Sequence, residues 1–116
     1  MSQKVRAKLV LCKGGVEGKE FVIDTDMATL GRWDPDSGAF PDVDLTNDDI
    51  EAKISRKHAK IISKNGQFFL EDLGSLNGSY INRGERLTPG EPLPIKTGDE
   101  IILGKTFFKF VIAGDN

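Results

Sequence analysis

The sequence predicts an all-β fold, namely an antiparallel β-sandwich built from many short strands. Apolar residues recur at every second position, as in 106–112, where Phe108, Phe110 and Ile112 share one face and Lys109 lies on the other. Turn residues separate such runs at intervals of about 8 to 12 residues, a spacing typical of sandwiches. Both observations favour strands over helices throughout the chain.

The alternating runs place the strands in chain order. We expect them at 8–12, 20–24, 29–32, 58–63, 67–72, 79–82, 100–103 and 106–112. The dipeptide Asn65-Gly66 is the strongest hairpin signal, because a type I′ turn needs positive φ at both central positions. We expect Gly14-Gly15 to close a further hairpin near the start of the chain.

Length, composition and charge restrict the domain count and the class of partner. A chain of 116 residues with 38% apolar residues fits one domain, which we place at 8–112 between an extension at 1–7 and a tail at 113–116. A net charge of −2 argues against a nucleic-acid partner. No apolar run reaches the roughly 18 residues that span a bilayer, and the N-terminus is too polar for a signal sequence. We therefore expect a cytoplasmic protein without a membrane partner.

One stretch, 33–52, differs sharply in charge from the rest of the chain. It contains seven carboxylates and no basic residue: Asp34, Asp36, Asp42, Asp44, Asp48, Asp49 and Glu51. We expect a long acidic loop there, with a brief strand at 42–45. The residues that follow reverse the sign, with Lys53, Arg56, Lys57 and Lys60. Spacing around Asp42 does not match a calcium loop, and we expect neither a metal nor a cofactor.

Three motifs carry the candidate chemistry: Gly31-Arg32, Ser55-Arg56-Lys57-His58 and Ser75-Leu76-Asn77-Gly78. Together they supply a guanidinium, a hydroxyl, a carboxamide and loop amides, which are the donors that usually hold a phosphate. Serine with histidine also raises a hydrolase. However, Ser55 lacks the flanking glycines of a nucleophile elbow, so we expect no enzymatic activity.

With these motifs in this order, the chain resembles the forkhead-associated (FHA) domain from about residue 8 to residue 112. Two flanking stretches, 18–23 and 95–101, extend the similarity. The resemblance implies a β-sandwich whose recognition loops gather at one end. It also implies recognition of a phosphothreonine segment from a substrate of a Ser/Thr kinase, in signalling.

The resemblance further implies a role for each motif residue. Arg32 contacts the phosphate, the Ser55 hydroxyl donates to it, and Asn77 holds the peptide backbone. The full set expected to bind phosphopeptide is Arg32, Ser55, Arg56, Ser75 and Asn77, although Ser75 is equally consistent with bracing the loop. Residues expected to support the site are Gly31, His58 and Gly78. Residues expected to set preference beyond the phosphothreonine are Lys53, Asn82 and Arg83.

A second class of function stays open from the sequence. The same fold can serve as an adaptor that binds a partner independently of phosphate, through a sandwich face or the acidic loop. The joint presence of Arg32, Ser55 and Asn77 favours the phosphate-dependent function, since an adaptor does not need that set of donors.

Overall fold

The computed structural model describes residues 5–49 and 51–114, and these residues form a β-sandwich. The strands in chain order are β1 (Ala7–Lys13), β2 (Val16–Ile23), β3 (Met27–Gly31), β4 (Val43–Asp44), β5 (Lys57–Lys64), β6 (Gln67–Asp72), β7 (Ser79–Ile81), β8 (Leu93–Ile95), β9 (Glu100–Leu103) and β10 (Thr106–Ile112). Two short 3-10 helices lie at Pro35–Ser37 and Thr46–Asp48. One sheet has the order β2-β1-β10-β9-β7 and the other β4-β3-β5-β6-β8.

The sequence-based prediction of an all-β sandwich is confirmed. Each predicted run became a strand, and the brief strand expected at 42–45 is β4, which runs parallel to β3 rather than antiparallel. Strand β8 was not predicted, because Pro94 interrupts the apolar run. Proline is tolerated there since β8 lies at the edge of its sheet and pairs only with β6 among the described strands.

Both predicted hairpin turns are confirmed by backbone geometry. Asn65 and Gly66 join β5 to β6 with φ of 54° and 80°, the positive values that a type I′ turn requires at both positions. Gly14 and Gly15 join β1 to β2 with φ of 58° and 80°. These turns fix the register of two antiparallel pairs.

The core lies between the two sheets and is closed by aromatic and aliphatic side chains. Phe110 of β10 is fully buried and meets Phe68 of β6 edge to face, with ring centroids 5.4 Å apart. Other fully buried side chains include Leu9, Leu30, Leu70, Ile101 and Phe108. A core packed in this way holds the strand ends, and therefore the loops between them, in fixed positions.

The ends of the described chain continue the sheet pairing by one step. The Ala113 amide donates to the Arg6 carbonyl at 2.8 Å, just beyond β1 and β10. The predicted extension and tail fall partly at 1–4 and 115–116, outside the described residues. Within 5–49 and 51–114, no helix has both the length and the apolar character that a membrane span requires.

Candidate functional site

The end of β3 places Arg32 against the segment that precedes β5. A β-carbon on Gly31 would lie 1.9 Å from the Arg56 carbonyl oxygen, so only glycine permits this approach. The Arg32 amide donates to that same carbonyl at 3.1 Å, and its Nε donates to the Ile54 carbonyl at 2.6 Å. The two terminal amino groups of Arg32 have no partner among the described residues, which leaves them available to a ligand.

Ser55 joins this segment to the loop after β6. Its Oγ accepts a hydrogen bond from the Leu76 amide at 3.0 Å. A hydroxyl has one proton to donate, and within the described chain the proton of Ser55 meets no acceptor. Ser55 is therefore positioned to donate outward while its oxygen is held by the opposite loop.

His58 links the same two loops from inside the protein. Its ring is fully buried, Nδ1 accepts from the Ser55 amide at 2.9 Å, and Nε2 donates to the Gly78 carbonyl at 2.8 Å. This pattern assigns the neutral tautomer with the proton on Nε2. Burial lowers the pKa of His58 below its usual range, although the bond to Gly78 acts in the opposite direction. Neither ring nitrogen bonds the Ser55 hydroxyl, as a serine hydrolase would need.

The loop at 75–78 is built around the buried carboxylate of Asp72. Its Oδ1 accepts from the Ser75 hydroxyl at 2.6 Å and from the Ser79 hydroxyl at 2.5 Å, and its Oδ2 accepts from the amides of Gly74 and Ser75. Burial alone would raise the pKa of Asp72, but these hydrogen bonds lower it below its usual value. The carboxylate therefore remains charged and fixes the loop.

Ser75 belongs to this internal frame. Its hydroxyl donates to Asp72 and also accepts from the Gly78 amide at 3.0 Å, and the residue is buried. The single hydroxyl proton is thus already used inside the protein. Of the two roles that the sequence left open for Ser75, the hydrogen bonds favour bracing of the loop.

Asn77 and Gly78 complete the loop. The Asn77 Nδ2 donates to the Lys53 carbonyl at 3.1 Å, while its Oδ1 has no partner in the described part of the chain. Gly78 has φ of +89°, and a β-carbon there would lie 2.8 Å from Nε of Arg86. Arg86 donates to the carbonyls of Ser75 and Leu76 at 2.7 and 3.1 Å. Sequence reasoning missed Arg86, because nothing in its flanking residues marks it.

Arg56 is present at the site, and an acidic residue holds it. Its Nε lies 2.8 Å from Oδ2 of Asp34, in an ion pair that is partly exposed. Asp49 caps the following backbone, because its carboxylate accepts from the amides of Lys53 and Ile54 at 2.7 and 3.0 Å. Sequence reasoning treated both carboxylates only as charges in the acidic loop. Their structural role depends on which amides the fold brings near them.

Other carboxylates of the acidic stretch also accept internal hydrogen bonds. Asp42 accepts from the amide and hydroxyl of Thr29 at 2.9 and 3.1 Å. Asp44 accepts from the amides of Trp33 and Thr46, and Asp48 pairs with Lys19 at 3.1 Å. The stretch is therefore an ordered segment around β4 and the two 3-10 helices, not only a solvated loop.

The three residues expected to set sequence preference lie apart from one another. Lys53 is at the site, where its backbone contacts Asn77 and lies against Gly104 in the turn between β9 and β10. Asn82 is at the far end of β7, with its side chain bonded to the Glu100 amide and the Asp99 carboxylate. Arg83 pairs with Glu100 at 2.8 Å.

A groove connects Arg83 to the neighbourhood of Lys53. It is lined in part by Glu51, Arg83, Gly104 and Lys105. Arg83 therefore borders a path that leads to the site, whereas the side chain of Asn82 is committed to the fold. Among residues 5–49 and 51–114, no group of three or more His, Cys, Asp or Glu side chains is arranged to hold a metal ion.

Comparison with known proteins identifies the fold and its loops. A family model described as FHA domain matches residues 28–104. The chain is 31% identical to the FHA domain of the CT664 protein from Chlamydia trachomatis, with a TM-score of 0.69 and coverage of 91% of this chain and 96% of that one. It is 27% identical to an FHA domain from Arabidopsis thaliana, with a TM-score of 0.76 and coverage of 100% and 94%.

Curated relatives are longer than this chain. Over 99 residues, or 85% of the chain, it is 37% identical to an oxoglutarate dehydrogenase inhibitor of Corynebacterium efficiens. It is 35% identical, over the same share, to the glycogen accumulation regulator GarA of Mycobacterium tuberculosis. The chain spans 61% and 53% of the lengths of these two proteins. The family match and the solved domains confirm the resemblance noted in the sequence, and the chain belongs to the FHA domain family.

Proposed function

We propose that this domain binds phosphothreonine segments of partner proteins and has no catalytic activity. One observation carries the proposal: three loops that bear phosphate donors are fastened to one another before any ligand arrives. The fastening contacts are Gly31 against Arg56, the Ser55 hydroxyl with Leu76, and His58 between Ser55 and Gly78. Prebuilt donors need little ordering on binding, which favours affinity.

The free groups of the site match the two parts of such a ligand. The phosphate carries about −1.5 to −2 charges and needs several donors, which the Arg32 guanidinium, the Ser55 hydroxyl and the remaining amino groups of Arg56 supply. The peptide backbone needs a donor and an acceptor side by side, which Asn77 offers through its second amide proton and its Oδ1. We assign Ser75 to the frame of the loop.

The proposed role is regulatory. The two curated relatives are named as an inhibitor and as a regulator, and family membership with this donor set supports the same class of action here. The partner would be a protein phosphorylated by a Ser/Thr kinase. Lys53 at the site and Arg83 along the groove would then contact residues after the phosphothreonine. A cytoplasmic location fits such a role and stays an expectation.

A binding screen tests the function directly. An oriented library of phosphothreonine peptides is compared with unphosphorylated and phosphoserine copies of the same sequences. We expect binding only with phosphate, and weaker binding with phosphoserine, because one fitted methyl group contributes on the order of 1 kcal/mol. Equal binding of the unphosphorylated copies would contradict the proposal and favour a phosphate-independent adaptor.

A further inference from the structure

An exposed aromatic pair lies directly beside the phosphate donors. Trp33 follows Arg32 in the chain and is 52% exposed, and Phe40 is 58% exposed. Their rings meet edge to face with centroids 5.1 Å apart, so they form one apolar surface. Clustered exposed aromatic side chains on a soluble domain mark interaction sites, and Trp is enriched among residues that dominate binding energy.

A groove lies beneath this pair, at the edge of the sheet that contains β3 and β5. Residues lining it include Phe40, Pro41, Leu73, Arg56 and Lys57. Its volume is about 220 Å³. Small-molecule sites are larger, roughly 300–1,000 Å³. A space of this size with apolar walls fits a single bulky hydrophobic side chain.

The segment that forms the groove is held in place from both ends. Asp34 and Ala39 exchange backbone hydrogen bonds of 2.9 Å, which close the loop that presents Phe40. Asp42, just after Pro41, accepts two hydrogen bonds from Thr29 of β3. The groove therefore exists before a ligand arrives.

Arg56 connects the groove to the phosphate site. It lines the groove, its carbonyl accepts from the Arg32 amide, and its Nε pairs with Asp34 in the loop that presents Phe40. Lys53 lies on the other flank of the site, against the turn that contains Gly104. A peptide that places its phosphate between these flanks has one end near Lys53 and the other near Phe40.

We infer that this groove takes one bulky hydrophobic side chain of the same segment, located on the N-terminal side of the phosphothreonine. The inference rests on the proposed function. Its direction follows from the expectation that residues after the phosphothreonine lie near Lys53. The groove thus adds an apolar requirement to recognition of the phosphate, and both Trp33 and Phe40 contribute to it.

Matched peptides test the inference. Phosphothreonine peptides carry leucine or serine at each of the three positions before the threonine, and each is titrated with the wild type, Phe40→Ala, Trp33→Ala and Arg32→Ala. Val22→Ala is the control, because Val22 is 52% exposed on β2 in the opposite sheet. Since Phe40 and Trp33 are half exposed, their replacement leaves the fold intact.

We expect the wild type to prefer leucine at one of these positions by about tenfold, and Phe40→Ala to remove that preference with less than about a twofold change for the serine peptide. Arg32→Ala should weaken both peptides, and Val22→Ala neither. Equal losses on both peptides, or none, in Phe40→Ala would overturn the groove while leaving the phosphate site. A wild type that binds no phosphopeptide would overturn both proposals. Leucine-dependent binding without phosphate would overturn the shared ligand.

Discussion

Gly31 lies so close to Arg56 that no side chain can stand between them. A β-carbon on residue 31 would be 1.9 Å from the Arg56 carbonyl oxygen and 2.8 Å from its carbonyl carbon. The contact is with backbone, which cannot rotate away as a side-chain tip can. It holds the end of β3 against the segment that bears Ser55, and so brings Arg32 to the site.

Gly31→Ala should therefore destabilise the domain, by roughly 2 to 3 kcal/mol in the free energy of unfolding, because the backbone must shift to relieve the overlap. Gly18→Ala is the matched control. Gly18 also lies in a strand, and its nearest neighbour would be 3.7 Å from the added carbon. Urea denaturation of both variants measures the difference. Similar unfolding free energies for the two would show that the close approach is not required.

Ser55 and His58 should separate in their effects on affinity and stability. Ser55→Ala removes a ligand donor and one bond to the partly exposed Leu76 amide, so affinity should fall about tenfold with little change in melting temperature. His58→Ala removes a fully buried ring and leaves the Ser55 amide without its acceptor, so stability should fall by about 3 kcal/mol and affinity with it. Calorimetry measures both properties. The reverse pattern would exchange the two roles.

The buried ring also predicts a pH dependence. Since the pKa of His58 is lowered in the folded protein, folding favours the neutral ring. Its contribution to stability is fully present above the unfolded pKa near 6.5. It is lost as the pH falls from there through the lowered folded value, because the unfolded state then binds more protons. Asp44, Asp72 and Asp99 have lowered pKa values, so their contribution is lost in a separate, more acidic range.

The sequence contains one histidine, so a nuclear magnetic resonance titration without ligand reports on His58 alone. We expect a midpoint below 6.5 and a parallel fall in unfolding free energy between pH 7.5 and the midpoint. A midpoint at or above 6.5 would contradict burial of the neutral ring.

The acidic stretch should slow the arrival of a phosphorylated ligand. Replacing Asp42 or Asp49 would test this badly, because both carboxylates hold backbone amides. Asp36 and Glu51 are exposed and have no side-chain partner in the described chain. Asp36→Asn with Glu51→Gln should speed association at low salt, and the gain should shrink as salt screens the charge. Stopped-flow binding measures the rate. An unchanged rate at every salt concentration would show that the stretch does not steer ligands.

The sequence predicted the sandwich because its strands carry clear alternation and its turns carry glycine or asparagine. Strand β8 escaped, since Pro94 breaks the pattern that marks a strand. The site motifs were also visible, because their residue types carry the chemistry of phosphate binding whatever their surroundings. Lys53 was placed correctly beside the site on the same basis.

The supporting contacts were not visible, for a physical reason. Asp72, Arg86 and Asp49 act on backbone groups that only the folded chain brings to them. The inward direction of the Ser75 hydroxyl and the committed side chain of Asn82 are similar cases. A sequence shows which donors exist, whereas the fold decides which of them are already used.

The central claim is that the phosphate of a phosphothreonine is recognised by donors that converge at Arg32. Isothermal titration of one phosphothreonine peptide and its unphosphorylated copy, with the wild type and with Arg32→Ala, tests it most directly. Losing hydrogen bonds to a charged group costs roughly 1.5 to 3 kcal/mol, so affinity of the variant for the phosphopeptide should fall by about tenfold or more while its melting temperature stays near that of the wild type. The unphosphorylated copy should bind neither protein. Unchanged affinity in a folded Arg32→Ala variant would contradict the account.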